Sequence, residues 1–328
     1  IIIFSMVLAL NSCKKSPLEE NHPIPVEQDT IVLKPDKIKP LFSIPVRHDI
    51  SIARYFGYMD SVVNHYDSLV AYPLSEHLIA RTNHWIIDTL EATDYYRKME
   101  KGIFVYNQKQ LIVLKEGDSL HIPATAQAED MIRRMEQTVV DLNIPEFKLR
   151  IMESGEILYS FPVRVGRNQR KYLATAKREV DLRTATGVGK IFRIKTDPYF
   201  VDPASGRPFT HTKRDDGKTT LMPRIPWIEP ELDGHRYGQL IHPTTNPSTL
   251  NKAYSNGCIG TSEADAWRIY YYAPVGTKVV FRYDLKVIDE QGDTLQLKDI
   301  YNYSGRKNIL ARAIKPTVPM AHHFGCPL

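Results

Sequence analysis

The chain has 328 residues, 42% of them hydrophobic, and sets 43 Lys and Arg against 38 Asp and Glu for a formal net charge of +5. Its 18 Tyr, 11 Phe and 3 Trp, with only 25% charged residues, need a core to cover them, which excludes disorder over most of the length and leaves room for one large domain or two smaller ones. The mild positive charge suits an acidic polymer or surface but not nucleic acid, which calls for a dense Lys/Arg stripe, and the one long uncharged apolar run, Ile1 to Leu10, is too short for a membrane-crossing helix.

In chain order, Ile1 to Cys13 has the shape of a signal peptide's hydrophobic region and cleavage site. No initiator Met or basic leading region precedes it, so residues 1–12 read as a signal peptide truncated at its start. Leu10-Asn11-Ser12-Cys13 resembles a bacterial lipobox, in which the cysteine carries two acyl chains, enough for stable anchoring. Residues 13–45 then read as a lipidated Cys and an extended tether holding Pro17, Pro23, Pro25, Pro35, Pro40 and Pro45. The expected location is the bacterial cell envelope, lipid-anchored at Cys13, facing the periplasm, with the outer membrane as the expected membrane.

Residues 46–130 read as a small α+β domain. Ile52, Phe56, Met59, Val63, Tyr66 and Val70 recur at three- and four-residue steps and predict one amphipathic helix closed by Pro73. Helices are also expected over 75–81 and 85–98. Ile103 to Tyr106 and Leu111 to Leu114 flank Asn107-Gln108-Lys109-Gln110 like a hairpin. Gly117 to Pro123 is similar to the last turn and strand of LysM glycan-binding modules, whereas the helices before it do not follow that pattern, and a packing or spacing role is the favoured reading.

From Thr138 short β-rich runs alternate with turn signals: 138–142, 147–152, 157–165, 191–194, 239–242 and 278–283. They are interrupted by one helix, with Ser262 and Asp265 as a capping box and Pro274 with Gly276 as its stop. The proline-rich stretch Lys195 to Gly238 is expected to cap the groove beside it. Residues 285–328 form a C-terminal extension with a hairpin signal at Gln291-Gly292 and no assignable role.

The three cysteines are too few and too widely spaced for a disulfide scaffold or a zinc module. His211, His235 and His242 are scattered, and His322, His323 and Cys326 read as a chance cluster, so no metal or other cofactor is expected. Cys258, in the turn Ser255-Asn256-Gly257-Cys258, is expected to lie just before a helix N-terminus, where amide N–H groups favour the thiolate. The Gly257 N–H is a candidate oxyanion donor and His242 the candidate base.

These residues resemble the L,D-transpeptidase catalytic domain of the YkuD type. That family carries a strand ending in His-Gly-Thr, then Ser-x-Gly-Cys-Ile-Arg, a helix and a Gly-Thr-x-Val strand. Here the stretches are Ile241-His242-Pro243-Thr244, Ser255-Asn256-Gly257-Cys258-Ile259-Gly260 and Gly276-Thr277-Lys278-Val279. Upstream, Ile144 to Leu149, Pro162-Val163-Arg164-Val165-Gly166, Thr184-Ala185-Thr186-Gly187 and Met222-Pro223 look like further family motifs, so the likeness covers about 138–284. It implies a mostly β, β-sandwich-like catalytic domain with one helix after the cysteine. Cys258 would be the nucleophile and His242 the general base and acid, with Ser255, Asn256 and Gly257 positioning substrate or oxyanion.

Three positions depart from the pattern: Pro243 for Gly, Asn256 for a second His, and Gly260 for Arg. An arginine beside the nucleophile would suit a substrate carboxylate, and Arg224, Arg236 and Arg268 are the candidates to replace it. The resemblance implies action on peptidoglycan stem peptides, with release of D-Ala and a 3→3 crosslink. The alternatives are hydrolysis as an L,D-carboxypeptidase, or a catalytically silent peptidoglycan-binding lipoprotein, which Gly260 favours. Oligomeric state is left open.

Overall fold

A computed structural model describes residues 40–289 and 291–304. The expected signal segment, Cys13, His322, His323 and Cys326 lie outside them. The described residues all fall within one compact unit.

Strands β1 (Phe42–Pro45) and β2 (Ile50–Ser51) lead into α1 (Ile52–Tyr66), which buries Ile52, Tyr55, Phe56, Met59 and Val62 along one face. Three short helices follow: α2 (Glu76–Thr82), α3 (Trp85–Glu91) and α4 (Tyr95–Glu100). Ser75 caps α2 by accepting the Leu78 N–H. The single helix expected over 85–98 is broken because the Asp94 carboxylate accepts the Tyr96 and Arg97 N–H groups and starts α4 afresh.

Then come β3 (Ile112–Leu114), β4 (Ser119–Ile122) and α5 (Thr125–Glu136), a helix the sequence reading did not place. The tether ends earlier than Pro45, because β1 pairs antiparallel with β4, Phe42 opposite Ile122, and Phe42 and Ile44 pack on the core. The expected hairpin also fails. Asn107 accepts the Lys109 N–H and tightens residues 108–110 into a 3₁₀ turn, so β3 pairs with distant β2 while Ile103 and Phe104 stay exposed.

The β region runs β5 (Thr138–Asn143), β6 (Lys148–Glu153), β7 (Glu156–Pro162), β8 (Val165–Gly166), β9 (Arg170–Leu173), β10 (Arg178–Asp181) and β11 (Gly187–Lys195). It continues with β12 (His211–Lys213), β13 (Thr219–Leu221), β14 (Trp227–Leu232), β15 (Ile241–Pro243), β16 (Ala253–Ser255) and β17 (Ile259–Thr261). After α6 (Glu263–Tyr272) come β18 (Lys278–Arg282), β19 (Lys286–Ile288) and β20 (Thr294–Gln296), the last two forming the hairpin expected at Gln291-Gly292.

Eight strands form one sheet in the order β17-β15-β14-β11-β18-β5-β6-β7. Its two edges meet. Arg164, just past β7, exchanges backbone hydrogen bonds with Gly260 of β17 at 2.9 and 3.0 Å, so the sheet is nearly closed.

No packing boundary separates 46–130 from 138–284. One core joins Phe56, Leu78 and Ile86 to Val140, Ile151 and Trp267, and the Tyr271 hydroxyl meets that of Tyr55 at 2.6 Å. Polar contacts fasten α6 to the same helices. Glu263, fully buried, pairs with Arg214 at 2.5 Å and accepts from the Gln108 side chain at 2.6 Å and the Tyr95 N–H at 2.9 Å. Asp94 also accepts the Ala264 N–H at 3.0 Å, so one carboxylate serves the first turns of both α4 and α6.

Candidate active site

Strands β15 and β17 are adjacent and parallel, with Ile241 beside Ile259 and His242 beside Gly260. Side chains alternate along a strand, so Ile241 and Ile259 enter the main core while Leu240 and His242, with Cys258 and position 260, face the other side. That side is covered by Phe200, Met222 and Trp227, which cluster with Leu240 and Cys258. The stretch from Lys195 thus supplies the covering side chains expected of it, although β14 within it is a full strand of the sheet.

His242 is fully buried, and its Nδ1 lies 2.8 Å from the Pro243 carbonyl oxygen. A carbonyl only accepts, so Nδ1 carries the hydrogen and Nε2 presents a lone pair. Nε2 is buried and has no hydrogen-bond partner among the described residues. Burial, then the Arg164 charge, lowers the His242 pKa to about 3, against the opposing pull of the Pro243 carbonyl. The imidazole is therefore a neutral acceptor. Pro243 costs nothing here: it lacks an N–H, but the carbonyl that orients His242 is its own.

Cys258 is fully buried, and its Sγ accepts the Leu240 N–H at 3.2 Å. The expected helix dipole is not at Cys258, because β17 intervenes and α6 begins only at Glu263. The first N–H groups of α6 go instead to Asp94 and to Ser262, whose Oγ accepts from Asp265 at 3.0 Å.

The turn before Cys258 is tightly braced. Ser255 Oγ donates to the Cys258 carbonyl at 2.6 Å and accepts the Gly257 N–H at 3.1 Å. That N–H, expected to face an oxyanion, is thus engaged within the turn. Gly257 has φ +112, and a Cβ there would lie 2.7 Å from Gln239 Nε2. Gln239 in turn donates to the Arg183 carbonyl and accepts from the Ala185 N–H, and Thr184 Oγ1 donates to the Gly257 carbonyl at 3.0 Å. Asn256 accepts from Arg167 at 2.9 Å.

None of the three arginines proposed from sequence is brought here as an available cation. Arg224 binds the Ala53 carbonyl and Asp197, Arg236 pairs with Glu229, and Arg268 with Glu91 and Asp88. Arg164 is the one at the site: a Cβ at Gly260 would fall 2.4 Å from its Nε. Tyr301, in the extension given no role, also matters, accepting the Thr184 N–H at 3.0 Å and donating to the Gly166 carbonyl at 2.7 Å. Periodicity flags neither Arg164 nor Tyr301, because each acts across a long sequence separation.

Residues 137–281 match the family model of the YkuD L,D-transpeptidase catalytic domain. No curated relative matches the chain. Among solved structures, an L,D-transpeptidase from Mycobacterium smegmatis is similar at 16% identity and TM-score 0.31 over 52% of this chain, and the chain spans 64% of that protein's length. One from Xylanimonas cellulosilytica is similar at 15% identity and TM-score 0.33, covering 62% of this chain and 92% of that one. The catalytic domain of the Enterococcus faecium enzyme is similar at 16% identity and TM-score 0.29, covering 45% of this chain and 98% of that one.

Proposed function

We propose that the chain, whose residues 137–281 match the L,D-transpeptidase catalytic domain, is a peptidoglycan L,D-transpeptidase with Cys258 as nucleophile and His242 as general base and acid. The observation that carries the assignment of the base is the buried, neutral His242, its Nδ1 tied to Pro243 and its Nε2 lone pair left over, on the same face as Cys258. Because burial disfavours the imidazolium, the proton reaches Nε2 during attack rather than before it.

Cys258 is disulfide-bonded in the structure, so the nucleophile requires its reduction. In the reduced chain the Cys258 Sγ–H loses its proton to His242 as Sγ forms a bond to the carbonyl carbon that joins the third-residue diamino acid to D-Ala. The tetrahedral intermediate collapses, the C–N bond breaks, and His242 protonates the departing D-Ala amine. A thioester remains. An amine of a second stem attacks it, giving a 3→3 crosslink and returning the thiol, whereas water would give carboxypeptidase activity. Backbone N–H groups of the 256–258 turn would hold the oxyanion once Gly257 exchanges Ser255 for substrate. Since Cys258 and His242 are both fully buried, some side chains packed around them must move to admit the donor. The lipobox-like Leu10 to Cys13 supports a lipid-anchored location in the bacterial envelope, facing the periplasm.

The test is D-Ala release from a tetrapeptide stem by the purified, reduced protein, with intact mass after a carbapenem, a strained carbonyl that traps the thiolate. Mass gain in the wild type and none in Cys258→Ala is expected. Equal gain in both, or none in either, overturns the nucleophile. Gly260 and the closed site favour a second reading, a silent peptidoglycan-binding lipoprotein. Sedimentation with purified cell wall in the absence of any turnover would establish it.

A further inference from the structure

Resting on the transpeptidase reading, we propose that Arg164, seated in the space that the missing side chain of Gly260 leaves open, is a specificity-determining residue that receives a carboxylate of the donor stem peptide next to the scissile bond. Four observations converge on it.

The first is position. Arg164 and Gly260 form the backbone bridge that closes the sheet, and Gly260 sits beside His242 in the parallel ladder. A Cβ at 260 would meet Arg164 Nε, Cγ and Cδ at 2.4, 2.7 and 3.0 Å, so the two positions share one volume, which only one side chain can fill.

The second is the arginine's unmet demand. It is 5% exposed, makes no ion pair among the described residues, and leaves Nε buried without a hydrogen-bond partner. Its one side-chain hydrogen bond among the described residues is from Nη1 to Thr249 Oγ1 at 3.2 Å; Arg167 lies close enough to add like charge and Asp215 close enough to offset part of it. Asp215 attracts the guanidinium but makes no ion pair with it, so no anion sits in contact with this buried charge among the described residues, and its pKa falls to about 10 chiefly through burial.

The third is the cavity. Arg164 and Arg167 line a pocket of about 190 Å³ together with Thr244, Thr245, Ser255 and Asn256, the residues that flank His242 and precede Cys258. The fourth is the second cation: among the described residues Arg167 reaches only neutral acceptors, the Asn256 side chain at 2.9 Å and the Ser255 carbonyl at 3.3 Å. Two guanidiniums that make no ion pair among the described residues, in a pocket lined by residues adjacent in sequence to the motifs of His242 and Cys258, match a planar anion accepting paired N–H bonds. On a stem peptide that chemistry is a carboxylate, either the terminal one of the departing D-Ala or the free one of the diamino acid.

Three donors separate the sources: the tetrapeptide acid, its C-terminal amide, and the acid with the diamino acid carboxyl amidated. For each variant the readout is the ratio of kcat/KM for D-Ala (or D-alaninamide) release between acid and amide, which is internal to one preparation and so cancels loss of folded protein. Wild type is expected to prefer one acid over its amide by about 10- to 100-fold, as for a hydrogen-bonded charged pair. Arg164→Gln should bring that ratio close to one. Arg164→Ala with Gly260→Arg, which moves the guanidinium to the other side of the shared volume, should raise it above Arg164→Ala alone. A wild-type ratio retained in Arg164→Gln overturns the proposal, as does a wild type with no acid preference at either carboxyl. No release from any donor refutes the transpeptidase reading itself, and the subsite with it.

Discussion

Acidification should expose the buried neutral state of His242 as a loss of stability. In the unfolded chain the imidazole takes a proton near its ordinary value of 6.5, whereas in the folded chain its pKa is lowered to about 3. Protons therefore bind the unfolded chain first, and the contribution is complete above about pH 6.5 and is lost as the pH falls toward 3. Between about pH 7 and pH 5 the unfolded group gains roughly 1.4 log units of proton binding while the folded one gains almost none, which is about 2 kcal/mol. His77, lowered to about 4, and Glu76, raised to about 7, titrate across the same range with opposite signs. The quantity to measure is therefore a difference. Urea unfolding of wild type and His242→Asn, which keeps a donor for the Pro243 carbonyl, at about pH 7, 6 and 5 should show the wild type losing about 2 kcal/mol more than the variant. Parallel stability curves would mean that His242 is charged in the folded protein, and the assignment of Nε2 as a resting proton acceptor would fall with it.

Three further outcomes are expected. His242→Ala should lower D-Ala release by about 100- to 10,000-fold, as general bases do, while Asn256→Ala, which only strips a partner from Arg167, costs about tenfold or less; the reverse order in a stem-peptide assay would put the base elsewhere. Glu263→Ala leaves the buried Arg214 guanidinium unpaired and should destabilise by about 3–5 kcal/mol, read as a lowered urea midpoint with unchanged slope. The proposed lipid anchor predicts that Cys13→Ser releases the expressed protein from membranes after a high-salt wash; full retention would remove the anchor from that cysteine.

The candidate pair Cys258 and His242 was legible because each sits in a short contiguous motif, and contiguity is what a one-dimensional reading detects. What surrounds Cys258 was not legible in the same way. The turn reads directly into α6, since nothing in Ile259-Gly260-Thr261 marks a three-residue strand whose partner lies at 241–243. Likewise Ile103 to Tyr106 and Leu111 to Leu114 have equal claims as strands locally, and only the presence of Ile50–Ser51 decides that one pairs and the other does not. Arg164 lies within the motif Pro162 to Gly166, but nothing in that motif marks it, because its significance depends on the absence of a side chain at position 260.

The attachments of α6 bear on how this protein can be divided. A cassette cut at about residue 137 would keep the whole family match and every candidate catalytic group. It would also expose a severed surface: Glu263 would lose Gln108 and Tyr95, Ala264 would lose Asp94, and Trp267 would lose the ring of Phe56 stacked 6.1 Å away. Those ties all converge on the helix that directly follows the cysteine strand. Domain shuffling at that joint is therefore disfavoured, and a swap of the catalytic portion between proteins would have to carry residues from about 40 onward as one inheritable block.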